Sequence, residues 1–308
     1  MPYSLDQKLV VAVASSALFD LSESDKIYRE QGLKAYRQFQ QNNIDSTLDK
    51  GVAFPFIRRL LSINRSFPDL QPIEVILLSR NSPETGLRVF RSIETHGLGI
   101  TRAAFFTGQS PYQYIPAFNA SLFLSANKED VNLAIQAGFP AGVVQKTTFI
   151  DDPMDEELRI AFDFDGVLAD DSAEAVYQQN HDLNEFNREE NSKRISPLNP
   201  GPLNDLLMKL ASFQRLEDEK QETEPGYKRK IHISIVTARS APAHERMVNT
   251  LSSWGINADN AFFLGGINKS KVLGVLQPHI FFDDQRVHLA DAEMVPCVHI
   301  PFGITNIS

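Results

Sequence analysis

A single cysteine, Cys297, is all the thiol chemistry that this 308-residue chain carries. No internal disulfide can form, and a reducing, cytoplasmic setting is the expectation. Apolar residues nowhere run long enough to span a bilayer, so no membrane partner is expected. The apolar run 9–19 follows Lys8 and has the length of a signal-peptide core, but Asp6 and Asp20 flank it and weaken that reading. Positive charge is also in short supply: 30 Lys and Arg against 39 Asp and Glu give a net charge of −9. That balance argues against nucleic acid as a partner, and an anionic substrate would need a local cation or metal. What is present is 42% hydrophobic and 22% charged, the composition of a globular chain with a sizeable core and room for two domains.

Apolar segments of strand length alternate with amphipathic ones. Strands are expected at 8–14, 73–78, 103–107, 121–125 and 141–144. Helices are expected between them: one capped by Ser22 or Ser24, one opening at Pro55, one capped by Ser82 with Pro83 first, and one over 127–138 with Val131, Leu133, Ala134 and Ala137 as core positions. The acidic stretch 147–157, with Pro153, reads as a linker. A second series follows, with strands at 160–164, 231–237, 261–264 and 279–282 and a helix at 242–254. Between its first two strands lies a helical insert of about 172–230, with helical segments near 173–183 and 203–216. Its charged end, 217–230, reads as a solvated turn. The fold class is α/β with Rossmann-like, mostly parallel sheets, and the domains are 1–150 and 151–308.

The two halves resemble each other. Val75-Ile-Leu-Leu-Ser79 matches Ile233-Ser-Ile-Val-Thr237, Ala104-Phe-Phe-Thr-Gly108 matches Ala261-Phe-Phe-Leu-Gly265, and Ser121-Leu-Phe-Leu-Ser125 matches His279-Ile-Phe-Phe-Asp283. An offset close to 158 throughout predicts an internal duplication. Val13 and Ser15 then stand where Asp163 and Asp165 stand, and Tyr112 where Lys269 stands. The first half is a degenerate copy.

Asp163 and Asp165 end an apolar run and share one face of a strand. Like charges that close stay ionised together when a cation sits between them, and carboxylate ligands favour Mg²⁺. Thr237, Lys269 in Gly265-Gly-Ile-Asn-Lys269, and the pair Asp283-Asp284 follow in order. Together they fit phosphoryl transfer. Asp163 is the candidate nucleophile and Asp165 the general acid and base, and the metal would be held by Asp163, Asp165, Asp283 and Asp284. Lys269 balances charge, and Thr237 bonds a phosphate oxygen. Arg239 is read either as a phosphate ligand or as a salt bridge to the acidic cluster. Ser240, near the start of the next helix, and Thr107, Ser110 and Tyr112 of the first half are candidate substrate contacts. Tyr177, Phe186 and Phe213 are candidates for stacking on a base.

These motifs resemble those of haloacid-dehalogenase-superfamily phosphatases over roughly 158–302. The resemblance implies a catalytic unit of that fold with a small helical cap insert, preceded here by the degenerate α/β half. Val11-Ala-Val-Ala-Ser-Ser-Ala-Leu-Phe, Ala53-Phe-Pro-Phe, Thr107-Gly-Gln-Ser-Pro-Tyr and Pro278-His-Ile-Phe-Phe-Asp-Asp-Gln are similar to the cytosolic 5′-nucleotidase type I family. That resemblance implies Mg²⁺-dependent hydrolysis of nucleoside 5′-monophosphates, AMP prominently, with a nucleotide as the small-molecule partner. Phe164 departs from the small residue expected between the aspartates, and is expected to face away from the metal. A phosphatase of another small ester and a silent nucleotide-binding regulator stay open, as does a homo-oligomer built through the first half.

Overall fold

The structure, a computed structural model, describes residues 4–180 and 182–306. The chain divides into two compact units, Met1–Val144 and Gln145–Ser308.

The first unit begins with strand β1 (Leu9–Val13), a single helical turn α1 (Ser15–Leu18), and helices α2 (Ser22–Asn42) and α3 (Phe54–Ser66). It continues with β2 (Ile73–Ser79), α4 (Pro83–Thr95), β3 (Arg102–Phe105), β4 (Leu122–Ser125), α5 (Lys128–Gln136) and β5 (Ala141–Val144). All strand pairs are parallel, in the order β3-β2-β1-β4-β5. β1, β2 and β4 are buried along their whole length, as continuous apolar strands covered on both faces must be. Ser82 caps α4 as expected, with Pro83 at its start. Neither Ser22 nor Ser24 caps α2. Asp20 does, accepting the backbone N–H of Ser22 at 2.8 Å, and α2 breaks at Gly32, whose φ is +79°. Of the core positions expected in α5, Val131 and Ala134 are buried, Leu133 is half-buried and Ala137 is exposed.

The second unit repeats this plan. It runs β6 (Leu158–Phe162), α6 (Ser172–Asn180), α7 (Leu183–Ser192), α8 (Asn204–Thr223), β7 (Ile231–Thr237), α9 (His244–Ser253) and β8 (Asn260–Phe263). It ends with α10 (Lys269–Leu276), β9 (Ile280–Asp283), α11 (Arg286–Ala290) and β10 (Cys297–His299). Its strands are parallel in the order β8-β7-β6-β9-β10, the order of the first unit. The helix expected over 173–183 includes His181, which lies outside the described residues.

Individual hydrogen bonds recur between the units. Ser62 Oγ donates to Arg59 O as Ser212 Oγ does to Lys209 O, each at 2.7 Å. The Leu48 N–H donates to Ser92 Oγ, and the Leu198 N–H to Thr250 Oγ1. Arg88 Nε donates to Ser46 O, and Arg246 Nε to Ser196 O, both at 2.9 Å. Asp170 caps α6 as Asp20 caps α2. These pairs correct the constant offset. It is 150 up to α3 and α8, 158 from β2 and β7 through β4 and β9, and 156 at β5 and β10. The step falls where α8, with 20 residues, outruns α3, with 13.

Two expectations change with it. α2 is the counterpart of α6 and α7, so the helices after the first strand are common to both units. α8 buries Leu206, Leu207, Leu210 and Phe213 and packs on β7, so the helical segment outside the layers is 172–192 rather than all of 172–230. Residues 217–223 are not a solvated turn either. α8 runs on through them, and the buried Glu217 accepts the N–H groups of Lys230 and Ile231, each at 3.0 Å, and the Tyr227 hydroxyl at 2.6 Å. Three donors repay the desolvation of one carboxylate, which composition alone could not reveal. Cys297 packs in the second core with Val236, Phe281 and Val295, and burial raises its thiol pKa to about 12. Among the described residues, no helix is long and apolar enough to cross a membrane.

Candidate active site

In the second unit, chain ends converge at the carboxyl edge of the sheet, where open α/β sheets bind ligands. β6 delivers Asp163 and Asp165, β7 ends in Thr237, β9 ends in Asp283, and α10 begins at Lys269. Gly166 lets the chain turn sharply after Asp165. Its φ is +71°, and a Cβ there would lie 2.8 Å from the Asp284 carboxyl group. Only glycine meets both constraints without strain.

Asp163, Thr237, Lys269, Asp283 and Asp284 are all buried. Lys269 Nζ lies 2.7 Å from Asp163 Oδ2 and 2.7 Å from Asp283 Oδ2. Asp163 Oδ1 accepts the Phe164 N–H at 2.7 Å, and Asp283 Oδ1 accepts the Gln285 N–H at 2.8 Å. His288 Nδ1 sits 3.1 Å from Asp283 Oδ2. Thr305 Oγ1 donates to Asp284 Oδ2 at 2.9 Å, while Asp284 Oδ1 is buried with no hydrogen-bond partner among the described residues.

The electrostatics are those of crowded acids. Burial raises the pKa of Asp163 to about 7, against the pull of Lys269 and with help from the charge of Asp283. Burial and the charges of Asp163 and Asp283 push Asp284 up to about 9. Burial also acts to raise Asp283, but Lys269 and His288 outweigh it and hold this carboxylate below its ordinary value. For Lys269 burial favours the neutral amine, and Asp163 and Asp283 overcome it, so the ammonium is retained.

Asp165 is placed differently from its expected metal-ligand role. Both its oxygens are held by Arg239, from Nε and Nη2, each at 2.7 Å. Arg239 also pairs with Glu190 of α7, whose other oxygen takes Arg246 Nη1 at 2.7 Å. Of the two readings of Arg239, the salt bridge is the one formed. Its guanidinium lies 5.4 Å over the ring of Phe164 and 5.7 Å over that of Phe186. Phe164 packs towards Trp254, on the arginine rather than on the carboxylate cluster. Tyr177 meets Phe186 edge-on, whereas Phe213 is core. Thr237 Oγ1 accepts the Arg239 N–H at 3.2 Å, and Ser240 Cβ lies 3.1 Å from where a Cβ on Gly265 would stand.

Thr107, Ser110 and Tyr112 belong to the first unit. Thr107 sits in a turn at φ +46°, Ser110 Oγ is buried without a hydrogen-bond partner among the described residues, and Tyr112 packs on the first core. Their role at a substrate rests on the sequence reading alone.

His288, Glu190 and Arg246 escaped that reading. His288 lies five residues past Asp283, on a helix of five residues that gives no periodic signal. Glu190 and Arg246 are scattered charges that only the fold unites.

The sequence model of the 5′-nucleotidase family matches residues 1–307. The chain belongs to that family. Among curated proteins, the 5′-nucleotidase-family chain is 34% identical over 291 residues to human cytosolic 5′-nucleotidase 1B. The match takes in 92% of this chain and 47% of that protein, so the chain spans about half the length of the curated relative. Among solved structures, one titled as a Pnkp1/Rnl/Hen1 complex aligns over 95% of this chain and 96% of that one. It does so at 15% identity and a TM-score of 0.29, a likeness too low to carry an argument.

The residues present fit a divalent cation. Asp284 Oδ1 is buried and lacks a partner, three carboxylates crowd one another, and Asp163, Asp283 and His288 can each bring a ligand atom within 4.8 Å of the others. Oxygen donors dominate that set, and His288 Nδ1 is already engaged by Asp283.

Proposed function

We propose that this chain hydrolyses nucleoside 5′-monophosphates through an aspartyl-phosphate on Asp163, with Mg²⁺ held by Asp163, Asp283 and Asp284. The observation that carries this reading is Lys269 Nζ at 2.7 Å from both Asp163 and Asp283 in a buried cluster. A buried nucleophile must be ionised to attack, and the ammonium supplies the charge that makes this affordable against burial. The nucleoside monophosphate follows from the family and from the name of the human relative.

In the first step an oxygen of Asp163 forms a bond to phosphorus, the ester P–O bond breaks, and the leaving 5′-alkoxide takes a proton from Asp165. In the second step water attacks the acyl phosphate, Asp165 takes the water proton, and inorganic phosphate leaves Asp163. Arg239 bears on both steps. While it grips both oxygens it fixes the Asp165 carboxyl beside the cluster. To act as the acid of the first step, Asp165 must loosen that grip and take up a proton. Mg²⁺ would neutralise charge on the phosphoryl oxygens. Thr237, at the end of β7, and the amide groups ahead of α9 would bind phosphate oxygens.

The test is phosphate release from a panel of AMP, IMP, GMP, CMP, UMP, their deoxy forms and sugar phosphates, with and without Mg²⁺. Release dependent on Mg²⁺ and concentrated on nucleoside monophosphates is the expected result. Release from sugar phosphates alone would retain the residues and overturn the substrate.

A further inference from the structure

The first unit contains a cavity of about 720 Å³ at the carboxyl ends of β1, β2 and β4, the place that the catalytic cluster occupies in the second unit. Its floor holds Ser15, Ser79 and Ser125, which are 4%, 2% and 0% exposed. By the repeat they stand where Asp165, Thr237 and Asp283 stand, and Val13 and Ala126 replace Asp163 and Asp284. The backbone framework persists. Ser79 Oγ accepts the Asn81 N–H, as Thr237 Oγ1 accepts that of Arg239, each at 3.2 Å. Ser125 Oγ accepts the Asn127 N–H as Asp283 Oδ1 accepts that of Gln285.

Counting protons shows what the floor lacks. Ser15 and Ser79 share one hydrogen bond, at 2.8 Å, so whichever donates leaves the other's hydroxyl proton over. The proton of Ser125 has no acceptor among the described residues. Two buried donors thus face the cavity in need of acceptors, and a buried donor left unmade is costly. The wall carries Arg29, Arg37, Arg80 and Lys128 against Asp25 and Asp130. Arg80 pairs with Asp130 at 2.6 Å and with Glu129 at 2.8 Å, and Asp25 is near enough to Arg29 to feel its charge. Arg37 and Lys128 remain exposed at the rim. Tyr28 and Tyr36 add an edge-on aromatic pair to the wall, with ring centres 5.9 Å apart.

The geometry points to a second, non-hydrolytic binding site in the first unit for a phosphomonoester that carries a planar group. The anion would accept from the serine hydroxyls and meet the arginines, and the planar group would lie against the tyrosines. With no carboxylate at the positions of Asp163 and Asp165, the site has neither nucleophile nor acid, so the ligand leaves intact.

The experiment is calorimetric titration of the full chain with AMP in chelator, where no release of phosphate confuses the readout. It is repeated with Asp163→Asn and with the double variant Arg29→Glu, Arg37→Glu, both of whose positions are exposed. AMP binding that survives Asp163→Asn and weakens at least tenfold in the double variant is expected. Ser125→Ala, which removes one hydroxyl, is expected to weaken it severalfold with an unchanged melting curve. Binding untouched by the charge reversal, adenosine bound as tightly as AMP, or no AMP bound outside the catalytic unit would each overturn the site. None of these outcomes bears on turnover, so the proposed activity stands or falls separately.

Discussion

The two units are one architecture under opposite electrostatic regimes. Both order five parallel strands alike, cap α2 or α6 with an aspartate, and tie Arg88 or Arg246 to equivalent backbone carbonyls, those of Ser46 and Ser196. Where they part is in charge. Gln40 of the first unit meets Arg88 at 3.5 Å, and at the equivalent place Glu190 meets both Arg246 and Arg239. Serines stand in one unit where acids stand in the other. A scaffold that tolerates both sets is held by its apolar strands and shared backbone bonds, and the charges are additions that it supports.

The sharpest way to break that comparison is at the chemistry. Asp163→Asn is expected to lower phosphate release about a thousandfold or more with the fold intact. Val13→Ala and Ser15→Ala, at the matching places, should leave the single-turnover rate unchanged. A large fall in that rate in either first-unit variant would refute the degenerate-copy reading.

Next in size is the buried ion network. Glu190→Ala takes a shared carboxylate from two buried arginines, leaving Arg239 with Asp165 and Arg246 with Ser196 O, and should cost about 3–5 kcal/mol in denaturant unfolding of the second unit. Gln40→Ala should cost about 1 kcal/mol in the first. Equal losses would mean that the arginines of the second unit find other partners.

The crowded acids predict a pH effect in the second unit. A carboxyl whose pKa is raised on folding binds its proton more tightly in the folded chain. Metal-free protein should therefore lose stability as pH climbs from the ordinary carboxylate value, about 4, towards the value of about 9 set for Asp284. Mg²⁺ requires ionised ligands and should abolish that loss. Thermal melts across this range, with chelator and with Mg²⁺, check it. A transition in chelator that does not move with pH would show that Lys269 already compensates the acids.

Smaller and symmetric effects test the shared scaffold. A Cβ on Gly51 would stand 2.7 Å from Ala17 O, and one on Gly201 2.3 Å from Ala169 O. Alanine at either should destabilise its unit by about 1–3 kcal/mol. Ser92→Ala and Thr250→Val each remove the hydroxyl that receives a loop N–H, at a cost of about 1 kcal/mol. A glycine or hydroxyl that matters in one unit alone would break the equivalence.

Much of this was legible in the sequence because it is local. A strand ending in Asp163-Phe-Asp165-Gly166 announces itself, and the repeated β2 and β7 segments show the duplication without any structure. What stayed hidden depends on distance. Glu217 looked solvated because its partners, Tyr227, Lys230 and Ile231, follow a turn that composition does not fix. The change of offset from 150 to 158 hid α2 as the counterpart of α6 and α7, since little apolar periodicity links them. Arg239 could be weighed two ways but not decided, because its partner Glu190 arrives from another helix.

The burial of Cys297 has a practical consequence. Its thiol sits in the second core and donates to Ala292 O at 3.6 Å, and its pKa of about 12 leaves almost no thiolate at neutral pH. Alkylating reagents attack the thiolate, so the native chain should be nearly inert to them. A cysteine introduced at an exposed site of α2 outside the cavity lining, such as Lys34, would be the only one to label readily. A fluorophore there would follow α2 as the first-unit cavity fills, with Cys297 left in place.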